Sequence, residues 1–237
     1  YLPVLVKGQK KEFSEFMAGV AEGDYGFAGF SVTIPHKAHA LDFVEGEGEY
    51  LEPLAASIGA VNTLKVGYGG LVTGYNTDYA GAMNALLAVM GIGRHGLHNV
   101  KTAVLGAGGA ARAIVAGLAD VGADITIYNR TVAKAEALAE EFKCKYASID
   151  KAADMDARVV VNCTSLGMHP NVDASPVPAE SIKSDMVIFD TVYNPFETLL
   201  LKYAARAGAK TVNGAEMFVR QAMAQYKLFT GSEADEE

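Results

Sequence analysis

Residues 101–131 constrain the fold of this chain more than any other stretch. The apolar run 102–105 predicts a β-strand, and a glycine-rich turn at 106–109 follows it directly. A helical pattern then ends at Gly122, and a second apolar run at 125–128 predicts another strand. A strand, a glycine turn, a helix and a second strand within about 30 residues form the βαβ unit that binds dinucleotides. The stretch therefore predicts an α/β fold with a dinucleotide site.

The residues of this unit indicate which dinucleotide would bind. Sites for NAD usually carry an acid at the end of the second strand, but this chain has Asn129 and Arg130 there, and an arginine suits a 2′-phosphate. Ala111 stands in the third glycine position, so the alternative is a plain glycine turn with an exposed arginine. The pattern favours NADP. Because glycines let the backbone approach an anion, the pyrophosphate is expected at Gly106, Ala107, Gly108, Gly109 and Ala110.

Composition restricts the remaining functions. The chain is 50% hydrophobic with a net charge of −8, which is typical of a well-packed globular protein and argues against binding to nucleic acid or to an anionic membrane. No apolar run approaches membrane-spanning length. Cys144 and Cys163 have no metal-ligand spacing, and we expect both to be buried thiols in a reducing compartment. We therefore expect no metal, no nucleic-acid partner and no membrane partner, and the expected ligand is a small-molecule substrate.

Hydrophobic periodicity predicts the other elements of the chain. Besides the strands of the βαβ unit, it predicts strands at 1–6, about 30–34, 60–66, 71–78, 145–149, 158–163 and 186–190. Besides the βαβ helix, it predicts helices at 9–20, 51–58, 79–90, 133–142, 197–207 and 214–229, with further helical stretches between the strands at 145–149, 158–163 and 186–190. Strands that alternate with helices indicate a parallel sheet covered on both faces.

Three polar residues lie within or beside predicted strands and helices. Lys37 follows a strand that Pro35 closes, Asn62 lies in a predicted strand, and Asp78 directly precedes a helix. Side chains at strand ends often take part in binding or catalysis in α/β folds. Each residue also has a structural interpretation: a solvated lysine, a turn-forming asparagine and a helix N-cap worth about 1 kcal/mol.

Seven short motifs, in order along nearly the whole chain, resemble those of the shikimate dehydrogenase family. They are 31–37 (SVTIPHK), 60–63 (AVNT), 74–78 (GYNTD), 129–131 (NRT), 162–168 (NCTSLGM), 190–195 (DTVYNP) and 213–221 (NGAEMFVRQ). The resemblance implies the reversible, NADP-linked reduction of 3-dehydroshikimate to shikimate. A quinate/shikimate dehydrogenase and a non-catalytic NADP-binding remnant are the alternatives.

The resemblance also implies roles for individual residues. Lys37 and Asp78 match the catalytic pair, in which the lysine exchanges a proton with the substrate oxygen and the aspartate pairs with the lysine. The substrate-binding positions are Thr33, Asn62, Tyr193, Gln221 and, less specifically, Gln225. The further cofactor-binding positions are Asn129, Arg130, Thr131, Lys134, Thr164, Gly167, Met168, Gly214 and Met217.

We expect two α/β lobes. Residues 1–80 with 214–237 would form the substrate domain, and 81–213 the Rossmann-type NADP-binding domain. The family opens with a strand and a serine-rich loop that grip the substrate carboxylate, and this chain starts after that point, so we expect a substrate domain without its first strand and helix. The chain is accordingly expected to be a piece of a longer protein. A truncated product and one module of a multifunctional polypeptide are the alternatives. The expected location is the cytoplasm, or the plastid for a plant or alga.

Overall fold

The structure is a computed structural model that describes residues 2–22, 26–33, 35–47 and 50–234. The chain forms two compact units. Unit 1 comprises Tyr1–Thr77 with Ala222–Glu237, and unit 2 comprises Asp78–Gln221. The first boundary lies three residues before the expected 80/81, and the second lies eight residues after the expected 213/214, so Asp78 and Gln221 fall in unit 2.

Unit 1 is a small mixed sheet with helices. Its helices are α1 (Lys10–Glu22), α2 (Lys37–Gly46) and α3 (Pro53–Ile58), and its strands are β1 (Gly29–Ser31), β2 (Tyr50–Leu51), β3 (Thr63–Val66) and β4 (Val72–Tyr75). The strand order is β1-β3-β4-β2, antiparallel except for the β4–β2 pair. The predicted apolar stripe of α1 is buried through Phe13, Met17 and Val20, because residues three or four apart share a helix face.

Unit 2 alternates strands and helices. Its helices are α4 (Asp78–Met90), α5 (Gly109–Asp120), α6 (Val132–Phe142), α7 (Leu199–Ala207) and the first part of α8 (Gly214–Thr230). Its strands are β5 (Lys101–Leu105), β6 (Asp124–Asn129), β7 (Lys145–Ser148), β8 (Val159–Asn162), β9 (Val187–Asp190) and β10 (Lys210–Val212). The side chains of β8 and β9 are buried throughout, as expected of central parallel strands.

The sheet of unit 2 positions the site. All its pairings are parallel, and the strand order is β10-β9-β8-β5-β6-β7. The order therefore reverses direction between β5 and β8. In open α/β sheets, ligands bind outside the carboxyl ends of the strands at such a switch point. The α/β, Rossmann-type organisation predicted from the sequence is present in this unit.

Several predicted elements differ from the structure. The strand at 1–6 is wrong for its described part, since residues 2–7 pair with no described strand and Leu2 and Leu5 are about 80% exposed. An extended segment becomes a strand only with a hydrogen-bonded neighbour. The strand predicted at 30–34 comprises only Gly29–Ser31, and Ile34 lies outside the described residues.

Other elements were shorter or were missed. The helix expected from residue 51 begins at Pro53, because residues 50 and 51 pair with β4 instead. The helical stretches expected between β7, β8 and β9 are short 3₁₀ turns, Ile149–Asp154 and Ala179–Ser181. Sequence analysis missed α2, β2 and β10.

No helix in the described part of the chain is long and apolar enough to span a membrane.

Candidate active site

The glycine turn lies at the carboxyl end of β5, at the switch point of the unit 2 sheet. Gly106 has a φ of +111°, which other residues rarely adopt, and a Cβ there would lie 3.1 Å from the backbone of Cys163 after β8. Gly108 is the N-cap of α5, and a Cβ at Gly108 would meet no atom within 4 Å. The turn therefore packs against Cys163 at Gly106 and is open at Gly108. The first N–H groups of a helix have no partner within the helix, so an open turn at its N-terminus can hold a pyrophosphate. Gly109, Ala110 and Ala107 are half-buried around it.

The carboxyl end of β6 carries the residues expected to hold a 2′-phosphate. Arg130, Thr131 and Lys134 are exposed, and Thr131 is the N-cap of α6. The Asn129 amide donates to the Thr131 carbonyl oxygen at 2.9 Å, which orders this turn. β6 is the neighbour of β5 in the sheet. The segment after β6, with Arg130, Lys134 and the N-terminus of α6, therefore lies beside the glycine turn that follows β5. They supply local positive charge in an acidic protein.

Asn162, the last residue of β8, orders the loop that contains Thr164, Gly167 and Met168. Its Oδ1 accepts hydrogen bonds from the Thr164 backbone N–H at 3.0 Å and from the Thr164 hydroxyl at 2.7 Å. Its Nδ2 donates to the Leu166 carbonyl oxygen at 3.3 Å. Gly167 is buried in this loop and Met168 is exposed. A single buried amide thus orders the segment that contains three of the expected cofactor-binding residues.

Asp190 plays a similar part at the end of β9 and is fully buried. Its carboxylate accepts from Asn162 Nδ2 at 2.9 Å, from the Val192 N–H at 3.0 Å and from the Thr198 hydroxyl at 2.6 Å. Burial raises the pKa of the Asp190 carboxyl, and these three donors counteract part of that rise. Since Thr198 is also the N-cap of α7, Asp190 connects β8, β9 and α7.

Tyr193 lies in the loop ordered by Asp190 and is half exposed. Its ring stacks on that of Phe218 of α8, with centroids 4.9 Å apart and an interplanar angle of 28°. Gly214, at the start of α8, leaves no room for a side chain, because a Cβ would lie 2.4 Å from the Thr191 carbonyl oxygen. Met217 is buried, and Gln221 is half-buried one turn further along the helix.

In unit 1, the turn between β1 and α2 presents Thr33 and Lys37. Thr33 is exposed and its carbonyl oxygen accepts from the His36 N–H at 2.9 Å. Lys37 is the first residue of α2 and is half-buried. The His36 ring anchors the turn, since it contacts the Val6 carbonyl oxygen at 2.9 Å and stacks on Phe13. A cavity of about 470 Å³ lies beside this turn and is lined by Thr33, His36 and apolar side chains.

Asn62 is buried in unit 1 among polar side chains. Its Oδ1 accepts from the Thr63 hydroxyl and from the Thr77 backbone N–H, both at 2.8 Å. Gln225 of α8 is buried in the same unit, and its Nε2 donates to Thr63 Oγ1 at 3.0 Å. Asp78, which follows Thr77 in the chain, is buried and begins α4 in unit 2. Thus Lys37, Thr33, Asn62 and Gln225 belong to unit 1, and the other site residues to unit 2.

Neither cysteine is poised for chemistry. Burial raises the pKa of the Cys144 thiol to about 11. Burial raises the pKa of Cys163 further, and the nearby carboxylates of Asp190 and Asp78 add to the rise. A thiol is reactive as the thiolate, so both groups are inert at neutral pH. The described residues contain no group of three or more side chains that could hold a metal ion.

Sequence analysis did not recognise the contacts made by Thr63, Thr77, Asn162, Asp190 and Thr198. A signal was present for two of them. Asn162 and Asp190 each end a strand of otherwise apolar residues, Val159–Asn162 and Val187–Asp190. A polar side chain at the end of a buried strand needs partners, so such a residue predicts an ordered loop.

Solved structures of known function share this fold. A crystal structure of a shikimate dehydrogenase in complex with NADP+ has a TM-score of 0.85 and 37% identity, covering 96% of this chain and 79% of that chain. The shikimate 5-dehydrogenase of Thermus thermophilus in complex with NADP(H) and shikimate has a TM-score of 0.81 and 34% identity, covering 96% and 81%. These likenesses confirm the predicted fold class.

Proteins related in sequence point to the same family as the solved structures. The shikimate dehydrogenase (NADP(+)) of Methanosarcina mazei is 46% identical over 219 residues, which are 88% of this chain and 75% of that protein. The chloroplastic bifunctional 3-dehydroquinate dehydratase/shikimate dehydrogenase of Arabidopsis thaliana is 42% identical over 89% of this chain and 36% of that protein. Three family profiles match: the shikimate dehydrogenase substrate binding domain at residues 1–64, shikimate/quinate 5-dehydrogenase at 89–192 and the shikimate 5′-dehydrogenase C-terminal domain at 214–237. The chain belongs to the shikimate dehydrogenase family.

Proposed function

We propose that this chain is an NADP-dependent shikimate dehydrogenase, which oxidises shikimate to 3-dehydroshikimate and catalyses the reverse reduction. The observation that carries the proposal is the 46% identity to a shikimate dehydrogenase (NADP(+)) over 88% of the chain. The open glycine turn at the sheet's switch point and the cations after β6 support the choice of cofactor, because they suit a pyrophosphate and a 2′-phosphate.

The cofactor's residues follow from this proposal. The pyrophosphate would lie on the glycine turn at 106–110, and the 2′-phosphate at Asn129, Arg130, Thr131 and Lys134. Thr164, Gly167 and Met168 would lie on one side of the nicotinamide, and Gly214 and Met217 on the other. Bound NADP supplies the two-electron carrier that exchanges a hydride with the ring carbon of the substrate. Unit 2 would then be the NADP-binding domain and unit 1 the substrate domain.

The proton is proposed to move through Lys37. During oxidation Lys37 Nζ takes the proton of the reacting hydroxyl as the hydride leaves the carbon, and during reduction the lysine returns it. Asp78 is proposed to accept a hydrogen bond from a ring hydroxyl. Thr33, Asn62 and Gln221 offer donors and acceptors to the other hydroxyls, and Tyr193 offers its phenol to the carboxylate. Gln225 already donates two hydrogen bonds within unit 1, so its carbonyl oxygen is the group left for substrate.

A steady-state assay with two substrates and two cofactors tests the function. We expect kcat/KM to be at least about 10-fold higher for shikimate with NADP+ than for quinate or for NAD+. A preference for quinate would instead support a quinate/shikimate dehydrogenase. NADP+ binding without turnover of either substrate would indicate a non-catalytic remnant.

The variant Lys37→Ala tests the proton transfer. Because a positioned acid or base contributes about 10²- to 10⁴-fold to rate, kcat should fall by that factor while NADP+ affinity stays unchanged. Lys11→Ala, in which an exposed lysine of α1 is removed, is the matched control. Turnover that survived in Lys37→Ala would exclude the lysine as proton carrier.

Assembly and location are further proposals. The Arabidopsis relative is named as a bifunctional enzyme, and we propose that this chain is likewise part of a multifunctional polypeptide. The size of the natural protein on an immunoblot tests this proposal. The cytoplasmic location, or the plastid for a plant or alga, is tested by cell fractionation with the same antibody.

A further inference from the structure

A cluster of buried polar side chains lies inside unit 1. Asn62, Thr63, Thr77 and Gln225 are each at most 5% exposed, and we call them the Thr63 cluster. Thr63 begins β3 and Asn62 directly precedes it, Thr77 lies in the segment after β4, and Gln225 belongs to α8. Buried polar groups cost free energy unless they are hydrogen-bonded, so their pairing must be nearly complete.

The hydrogen bonds of the Thr63 cluster have a definite direction. Gln225 Nε2 donates one hydrogen to Ser31 Oγ at 3.1 Å and the other to Thr63 Oγ1 at 3.0 Å. Since Thr63 Oγ1 accepts from Gln225, its own proton is directed to Asn62 Oδ1, 2.8 Å away. Thr63 therefore receives a hydrogen bond from α8 and passes one on to Asn62.

This direction determines which way the Asn62 amide faces. Oδ1 accepts from Thr63 and from the Thr77 backbone N–H at 2.8 Å, while Nδ2 donates one hydrogen to Thr77 Oγ1 at 3.0 Å. An amide nitrogen has two hydrogens, so the cluster uses one and leaves the second for a substrate hydroxyl. If the Thr63 hydroxyl were absent, Asn62 Oδ1 would lose one of the donors that keep it on this side, and only Thr77, through its N–H at 2.8 Å and its hydroxyl at 3.3 Å, would remain.

The same contacts hold Thr77, the residue that precedes Asp78. The Thr77 N–H is bound to Asn62 Oδ1, and the Thr77 hydroxyl lies 3.2 Å from that of Thr63. Thr77 directly precedes Asp78 in the chain, so the cluster orders the residue before the proposed catalytic aspartate. Thr63 contacts the other three members and is the centre of the cluster.

We propose that Thr63 is a positioning residue of the reaction: its buried hydroxyl orients the Asn62 amide and the Thr77 peptide toward the ring hydroxyls of the substrate. This inference rests on the proposed function. Thr63 itself touches no substrate in this scheme and acts through Asn62 and Thr77.

The test compares Thr63→Val with Thr63→Ser. Valine keeps the shape of threonine and removes the hydroxyl, whereas serine keeps the hydroxyl. We expect Thr63→Val to raise the KM for shikimate about 10-fold and to lower kcat, with the KM for NADP+ within about twofold of wild type. Thr63→Ser should restore both shikimate parameters. A purely structural role would lower the amount of folded enzyme and leave both KM values unchanged.

Thr102→Val is the matched control. Thr102 is a buried threonine of β5 in unit 2, and its hydroxyl donates to the nearby Val100 carbonyl oxygen at 3.2 Å. Its removal should leave the KM for shikimate unchanged. Should Thr63→Val not fold, Thr63→Ala carries the same expectation, because it adds no bulk.

Hydrogen exchange gives a readout independent of turnover. The Thr77 amide should exchange at least about 10-fold faster in Thr63→Val than in wild type or Thr63→Ser, because its acceptor, Asn62 Oδ1, loses the hydrogen bond from Thr63 that helps to hold it. An unchanged shikimate KM or unchanged exchange in an active enzyme overturns the positioning role alone. A wild-type protein that does not oxidise shikimate overturns the proposed function, and the role of Thr63 in that reaction with it.

Discussion

Single buried polar residues determine much of the local geometry in this protein. Asn162 and Asp190 lie next to each other at the ends of β8 and β9, and each orders the loop that follows its strand. Such residues cost free energy to bury, and full hydrogen bonding offsets that cost. Each of the two makes several bonds, so changing either should affect the loops proposed to contact the nicotinamide and the substrate.

The stability contributed by Asp190 should depend on pH in a defined direction. Burial raises its native pKa above the usual value of 3.8. Above that value the unfolded chain releases the proton while the native state keeps it, so stability falls as pH rises until the native pKa is passed. Relative to Asp190→Asn, the wild type should lose up to about 1.4 kcal/mol per pH unit in this window.

Urea melts of wild type and Asp190→Asn between pH 4 and 8 measure this difference. Asp173→Asn, a change of an exposed aspartate in the same unit, serves as control and should follow the wild-type curve. Parallel curves for wild type and Asp190→Asn, or a slope of the opposite sign, would contradict the assignment.

At the scale of elements, close approach between helices depends on glycine. Gly81 of α4 faces the start of α8, where a Cβ would lie 2.9 Å from the Met217 carbonyl oxygen and 3.3 Å from the Gln221 nitrogen. The obstacle is backbone, which cannot rotate away as a side chain can.

Two glycine-to-alanine changes should therefore have opposite effects. Alanine gains about 0.5–1 kcal/mol over glycine within a helix, but overpacking costs about 1–3 kcal/mol. Gly81→Ala should destabilise the protein, because the overpacking term is larger. Gly19→Ala in α1 should stabilise it, because a Cβ at Gly19 would meet nothing within 4 Å. Urea unfolding followed by circular dichroism measures the change in unfolding free energy for both variants. If both changes had the same sign, the close contact between α4 and α8 at Gly81 would not control the effect of the substitution.

At the scale of the whole molecule, the proposed cofactor residues all lie in unit 2. A ligand that binds only the folded state stabilises it by an amount that grows with concentration, about 2.7 kcal/mol at 100 times Kd. NADP+ should therefore stabilise the unit that contains its binding residues.

Hydrogen exchange with and without NADP+ tests this expectation. Saturating NADP+ should slow exchange in β5, α5 and β6, while β3 and β4 of unit 1 should exchange as in the free protein. NAD+ at the same concentration should protect unit 2 less, since Arg130 and Lys134 would have no 2′-phosphate to bind. Protection confined to unit 1 would exclude the proposed nucleotide site.

The sequence by itself determined the elements whose signals are local. The βαβ unit at 101–131 follows from residue periodicity and glycines over about 30 residues, and α1, α4 and α6 follow from one apolar face each. Family membership also follows from short motifs and is confirmed by the relatives. The roles of Lys37, Asp78 and the other site residues stay predictions.

Only the tertiary structure decided features that need a distant partner. Residues 2–6 have the composition of a strand, yet a strand requires a neighbour, whereas the missed β10 is a strand because β9 lies beside it. The bond between Gln225 and Thr63 joins residues 162 positions apart. Periodicity reports which residues are buried but not what they meet, because the partner of a buried polar group is set by how the elements pack.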